Sequence, residues 1–173
     1  MNSTYLMVAG LCWIGLMVRT SYELLKKAGW VDTRNQAAFV VVFVAMIVML
    51  AGWPVFCPLD PWRIAFPGVV RLIGLGVAAA GFALAIGGLL QLRGVENIDH
   101  LVTTGLYSRV RHPMYLGFIL WIVGWVAAEG AACSLAVGLV GIANILYWRH
   151  LEEDALELCY GENFRVYRQG TWF

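Results

Sequence analysis

The chain is a succession of long apolar runs joined by short polar connections. The runs fall at residues 4–18, 37–53, 64–90, 114–128 and 131–148. A helix that crosses a bilayer needs about 20 apolar residues. The pattern therefore predicts an all-α, polytopic membrane protein of about five transmembrane helices. The first and fourth runs fall short of a full crossing and either borrow flanking residues or tilt less. Only Glu129-Gly130 separates the fourth run from the fifth, which predicts a tight helical hairpin that either crosses the bilayer or dips into it. No Lys or Arg precedes the first run, no small-x-small site follows it, and Arg19 comes after it. That order of charges predicts a retained span rather than a cleaved signal peptide.

Composition agrees with the pattern. Hydrophobic residues make up 61% of the chain and charged ones 13%, with a mean hydropathy of +0.73, against about 25% charged residues in soluble domains. The expected organisation is one integral membrane domain over 1–173. Three N-terminal spans occupy 1–90, and a half carrying the chemistry occupies 91–173 with the hairpin and a C-terminal helix. A formal charge of +1 and the absence of like-charge blocks give no reason to expect a nucleic-acid partner. Cys12, Cys57, Cys133 and Cys159 lack ligand spacing, so they read as packing residues, with no disulfide framework and no metal site expected.

Ten of the twelve Lys and Arg residues fall on one side if the chain threads five times. Arg19, Lys26, Lys27 and Arg34 follow the first run, Arg93, Arg109 and Arg111 follow the third, and Arg149, Arg165 and Arg168 follow the fifth. Basic loops accumulate on the cytoplasmic side. The expected orientation is an external N-terminus, a cytosolic C-terminus and a cytosolic active site. Trp30, Trp53, Trp62 and Trp148 stand near run ends, where interfacial tryptophans are expected. Arg71, seven residues into the third run, is expected to snorkel to the outer interface. Gly74, Gly76, Gly81, Gly87 and Gly88 in that run are expected to permit close helix packing, with a groove for a lipid tail as the alternative.

One segment departs from the membrane pattern. Gly105-Leu106-Tyr107-Ser108-Arg109-Val110-Arg111-His112-Pro113-Met114-Tyr115-Leu116-Gly117 is polar and cationic, and the acidic pair Glu152-Glu153 follows the hairpin. Ionisable groups next to lipid are costly unless paired or facing water, which makes the cluster a candidate functional site. His112-Pro113 breaks the chain before the fourth helix, with proline suited to the first turn. The free amides there, at Met114 and Tyr115, welcome a carboxylate or phosphate. Arg149, Glu152 and Glu153 stand at i, i+3 and i+4 and share a helix face. Taken singly, Arg109 and Arg111 read as positive-inside anchors and Arg149 with Glu153 as a surface pair. Together with a histidine and two tyrosines they read as a site.

These residues carry a family resemblance. Leu101-Val102-Thr103-Thr104-Gly105-Leu106-Tyr107, then Arg111-His112-Pro113-Met114-Tyr115-Leu116-Gly117, then Arg149 with Glu152-Glu153, and Tyr160-Gly161-Glu162-Asn163-Phe164-Arg165-Val166-Tyr167 resemble the isoprenylcysteine carboxyl methyltransferases. The wider group of membrane methyltransferases includes the phospholipid N-methyltransferases. The resemblance covers about 91–167, whereas the N-terminal spans match only in hydrophobicity. It implies a cytosol-facing cofactor pocket formed by the C-terminal half, holding S-adenosylmethionine without a Rossmann domain, and a lipid-tailed acceptor.

Carried over residue by residue, the resemblance puts cofactor contacts at Leu101, Val102, Tyr107, His112, Pro113, Met114, Tyr115 and Glu153. Arg149 becomes the arginine for the acceptor's carboxylate, and Arg149 and Glu153 the catalytic pair. The family's histidine two places before the LVT leucine is Asp99 here, with His100 one place later, so both enter the candidate set. Gln91 is the nearest counterpart of a family glutamine.

Methyl transfer from a sulfonium is an in-line displacement that depends chiefly on holding the reacting atoms collinear. A carboxylate acceptor is already ionised and can be oriented by an arginine such as Arg149. An amine acceptor would need a base, for which Glu152 or His112 is available. The implied reaction is esterification of a C-terminal isoprenylcysteine carboxylate. The alternatives are phospholipid amine N-methylation and, by analogy with membrane sterol reductases that share an RHPxY-like block, NADPH-dependent reduction.

Overall fold

The computed structural model describes residues 2–31, 35–92 and 100–173. Its described residues form six α-helices: α1 Ser3–Lys27, α2 Gln36–Phe56, α3 Gly68–Leu92, α4 Pro113–Glu129, α5 Ala132–Tyr160 and α6 Glu162–Gly170. Four of the described helices, α1, α2, α3 and α5, are long and apolar enough to cross a membrane, and α4 is a shorter apolar helix. The chain is an integral membrane protein of the expected all-α class.

Each helix starts and stops for a local reason. Asn2 caps α1 by accepting from the Thr4 amide at 3.0 Å, and Asn35 caps α2 through the amides of Ala37 and Ala38. The helix α3 begins at Gly68 rather than at Ile64, because Pro67 can neither donate nor let its predecessor turn helical. The helix α4 starts on Pro113 and ends on Gly130 at φ +62°, a left-handed stop that glycine alone adopts cheaply.

The helices alternate direction and interlock through small residues. Gly74, Gly81 and Gly88 form a seam on α3, seven residues apart, against Gly117 and Gly124 of the antiparallel α4. A Cβ added at Gly81 would stand 2.6 Å from the Trp121 amide nitrogen, and one at Gly117 would stand 2.5 Å from that of Ala85. Backbones this close gain dispersion contacts along their whole length, the usual attraction between helices in lipid. Gly76 faces open space and takes no part. Beside this pair, α1 packs antiparallel on α2, with Gly15 against Met49 and Gly52 against Cys12.

Two apolar clusters fill the bundle. The one at the α4–α5 hairpin end contains Tyr5, Val8, Trp53, Phe56 and Val126, and the one at the opposite end contains Leu16, Met46, Met114, Tyr115 and Trp148. Trp53 and Trp148 are therefore core residues, 5% and 1% exposed, whereas Trp30 and Trp62 are 82% and 71% exposed. Run ends predicted interfacial positions for all four. The indole N–H groups instead bond inside, Trp53 to the Ile122 carbonyl and Trp148 to the Thr20 hydroxyl.

The hairpin end is tied by its own charges. Glu129 accepts from Arg63 and, at 3.3 Å, from Arg71, so Arg71 ends in an ion pair with the end of α4. Buried Asp60 accepts from the Trp62 amide at 2.8 Å, the Ser134 amide at 2.5 Å and the Ser134 hydroxyl at 2.6 Å. Burial alone would raise its carboxyl. The hydrogen bonds from Ser134, Trp62 and Cys133 outweigh that and hold it below its ordinary value. It thereby supplies the first turn of α5 with the acceptor that helix starts lack.

Candidate functional site

The other end of the bundle gathers the C-terminus of α1, the last turn of α3, the N-terminus of α4 and the last three turns of α5. The loop before α4 is shaped from α3. Gln91 donates to the Thr104 carbonyl at 2.5 Å and accepts from the Leu106 amide at 2.9 Å, pinning the turn at Gly105, whose φ is +60°. Tyr107 is then buried, its hydroxyl donating to the Gly88 carbonyl at 3.3 Å. Tyr167 of α6 donates to the Tyr107 carbonyl at 2.7 Å. Burial pushes the Tyr107 phenol up and the Tyr167 phenol up to about 12, so both remain donors at neutral pH.

Glu153 is the hub. Its Oε1 lies 3.2 Å from Arg111 Nε, 3.2 Å from His112 Nε2 and 3.8 Å from Arg149 Nε. Glu152 turns to the other ring nitrogen of His112, at 3.9 Å. Arg111 is fixed from behind by the carbonyls of Thr171 at 2.6 Å and Arg168 at 3.0 Å. The segment around Trp172 runs beside the loop, joined to it by an isolated parallel bridge between Val110 and Trp172. Trp172 donates to the Arg109 carbonyl, and the amides of Arg111 and His112 donate to the carbonyls of Trp172 and Phe173. The Phe173 ring sits under the Arg149 guanidinium, 4.9 Å away.

A cavity of about 460 Å³ opens against these groups. That is within the range of small-molecule sites, about 300–1,000 Å³. Its wall includes His100, Leu101, Val102, Tyr107, Arg111 and His112, with Glu152 and Asp154 from α5. Of the candidates, His100, Leu101, Val102, Tyr107 and His112 thus come together on one wall. Pro113, Met114 and Tyr115 are buried in the first turn of α4 behind it. Arg149 and Glu153 stand beside the cavity rather than in its wall, joined to it by the contacts of Glu153 with Arg111 and His112. Asp99 lies outside the described residues.

Two features went unseen in the sequence. The cavity is not formed by the C-terminal half alone, because Glu23, Lys26 and Lys27 of α1 also line it. Arg19 is no loop anchor either. It lies within α1, 1% exposed, donating to the Tyr115 hydroxyl at 3.2 Å. The i, i+4 spacing of Arg19 and Glu23 was the available signal. Cys159 lines the cavity and is exposed, unlike buried Cys12 and Cys57, so it is no packing residue. Among the described residues no His, Cys, Asp and Glu group has the makings of a metal site.

The chain is similar to known methyltransferases. A sequence model described as phospholipid methyltransferase matches residues 70–163. A protein-S-isoprenylcysteine O-methyltransferase of Schizosaccharomyces pombe is 35% identical over 76 residues, 43% of this chain and 32% of that one. A methanethiol S-methyltransferase of Pseudomonas deceptionensis is 35% identical over 81 residues, 46% of this chain and 30% of that one. Protein-S-isoprenylcysteine O-methyltransferase B of Arabidopsis thaliana is 28% identical over 141 residues, 75% of this chain and 66% of that one. The match spans about a third of the length of the first two relatives. No solved structure matches the chain.

Proposed function

The chain belongs to the phospholipid methyltransferase family, and from that premise we propose that it transfers a methyl group from S-adenosylmethionine to the carboxylate of a lipid-tailed acceptor, an isoprenylcysteine, at the cytosolic face of the membrane. The observation that carries the reading is the convergence of Arg111, His112 and Arg149 on one oxygen of Glu153 beside the cavity.

The wall suits the donor's chemistry. Apolar Leu101 and Val102 with the rings of Tyr107 and Tyr167 offer faces for a purine, and Glu152 and Asp154 offer acceptors for hydroxyls and an ammonium. Bound there, S-adenosylmethionine supplies an electrophilic methyl group on a sulfonium. Glu153 spends Oε1 on Arg111, His112 and Arg149 and so holds Arg111 and His112 in the wall from beside the cavity. The first turn of α4, with Pro113 at its start and the Met114 and Tyr115 amides behind it, faces the donor's carboxylate with the positive end of a helix. His100 belongs to the same rim.

Arg149 orients the acceptor. Its guanidinium keeps one face on Phe173 and a partner at Glu153, so a carboxylate meets its remaining edge in a defined direction. A carboxylate needs no deprotonation, and collinear positioning supplies most of the rate. Burial of Tyr107 and Tyr115 excludes water from the same end. A thiol or an amine acceptor gains nothing from Arg149.

Calorimetric titration of the detergent-purified protein with S-adenosylhomocysteine and, separately, NADPH tests the donor. Saturable binding of the first alone is expected, and binding of NADPH alone would move the chain to a reductase. Labelled-methyl transfer to N-acetyl-S-farnesylcysteine, phosphatidylethanolamine and methanethiol then tests the acceptor. Transfer to either of the last two in preference to the first would refute the carboxylate reading.

A further inference from the structure

The proposed chemistry leaves unused a buried charge pair on α1, outside the residues 70–163 that match the family. Arg19 and Glu23 are each 1% exposed and pair one turn apart, and Lys26 reaches the second oxygen of Glu23 at 2.8 Å. An ionisable side chain inside a membrane helix is expensive and marks a functional role more often than a structural one. Docking of α1 has a second polar anchor. Thr20 already bonds α5 twice, donating to Asn144 at 3.0 Å and accepting from Trp148 at 3.1 Å.

Arg19 reaches a different helix. Its guanidinium lies 5.5 Å from the Tyr22 ring and 5.6 Å from the Trp148 ring, and Nη2 donates to the Tyr115 hydroxyl in the first turn of α4. Those neighbours fix the guanidinium, which in turn fixes the Tyr115 ring. Tyr115 stacks on His112 at 5.6 Å with 17° between planes, and His112 is both cavity wall and partner of Glu153.

We propose that Arg19 is a positioning residue of the transfer site, acting through Tyr115 to set the His112 ring against the cavity. The proposal rests on the reading that this cavity holds the methyl donor. Removing the guanidinium deprives a buried hydroxyl of its donor and frees the Tyr115–His112 stack to turn, so that His112 no longer presents one fixed edge to Glu153.

The test uses the full chain in detergent, with S-adenosylhomocysteine affinity and thermal unfolding measured on Arg19→Met, Tyr115→Phe, the double variant and Thr20→Val. Arg19→Met and Tyr115→Phe are each expected to weaken binding about tenfold, as for loss of a charge-assisted buried hydrogen bond. The double variant should be no weaker than either single one. Thr20→Val should lower the unfolding temperature and leave affinity unchanged. Wild-type affinity in Tyr115→Phe, losses that multiply in the double variant, or an equal loss in Thr20→Val would each overturn the proposal. Tyr115→Phe keeps the ring and carries the test if Arg19→Met does not fold. A wild-type protein that binds no S-adenosylhomocysteine would instead overturn the donor reading itself.

Discussion

The glycine seam between α3 and α4 makes a quantitative prediction in the pair Gly81→Ala and Gly76→Ala. Both positions lie in one helix and receive the same methyl group. At Gly81 that group would meet the Trp121 nitrogen at 2.6 Å, the Gly117 oxygen at 2.7 Å and Leu120 Cβ at 2.8 Å. The first of these is about 0.8 Å inside the 3.4 Å of ordinary contact. Two of the three atoms are backbone, so no rotamer relieves the clash and the helices must move apart. Overpacking of this kind costs about 1–3 kcal/mol, and three simultaneous contacts argue for the upper end. Alanine returns about 1 kcal/mol of helix propensity, which leaves a net loss of about 2 kcal/mol for Gly81→Ala. Gly76 has no atom within 4 Å, so Gly76→Ala keeps the propensity gain of up to about 1 kcal/mol. At about 2–4 °C per kcal/mol for a chain of this size, thermal unfolding in detergent should show a fall of about 4–8 °C for the first variant and a rise of about 2–4 °C for the second. Equal shifts of the same sign would refute the assignment of Gly81 to the contact.

Further outcomes can be checked on the same preparation. Glu153→Gln keeps the shape and removes the charge that Arg111, His112 and Arg149 share, so S-adenosylhomocysteine affinity should fall at least tenfold in calorimetry. Arg149→Ala should abolish transfer to a farnesylated carboxylate while leaving donor affinity within about twofold, measured as kcat/KM against calorimetry. Maleimide should label exposed Cys159 before buried Cys12 and Cys57, and S-adenosylhomocysteine should slow that labelling. The folded pKa of Asp60 lies below its unfolded value. Its stabilisation is therefore complete above about pH 5 and disappears as pH falls through the depressed folded value, and Asp60→Asn should flatten the unfolding-temperature profile below about pH 4.

The apolar runs made α2, α3 and α4 legible to within a few residues, because lipid selects one property over a length that a sequence displays directly, whereas α5 continues twelve residues past its run. The run on α1 broke off at Val18 for a physical reason. Beyond it Arg19, Thr20 and Glu23 are polar but turned inward, where partners on α4 and α5 replace lipid, and hydropathy cannot tell an inward-facing charge from a loop. Trp53 and Trp148 misled in the opposite way, since position near a run end says nothing of the side a ring faces. Within the site, the block from Tyr107 to Tyr115 stood out because charge beside lipid requires a reason. The pairing of Trp172 with Arg109, and the clamp of Gln91 on the Gly105 turn, depend on contacts between distant segments and carry no local signal.

The length of α5 has a consequence for how an acceptor arrives. Its 29 residues make a rod of about 43 Å, against a hydrocarbon layer of about 30 Å. The excess of about 13 Å, nearly nine residues, is enough to carry Glu152, Glu153 and Asp154 past the hydrocarbon when the rod is rooted at Asp60. On the proposed reading, an acceptor anchored by a lipid tail meets the site at that height without leaving the bilayer, so its search is confined to a surface. Encounter then depends on acceptors per unit of membrane area rather than per unit of volume, and dilution into added vesicles should slow turnover even at constant total acceptor.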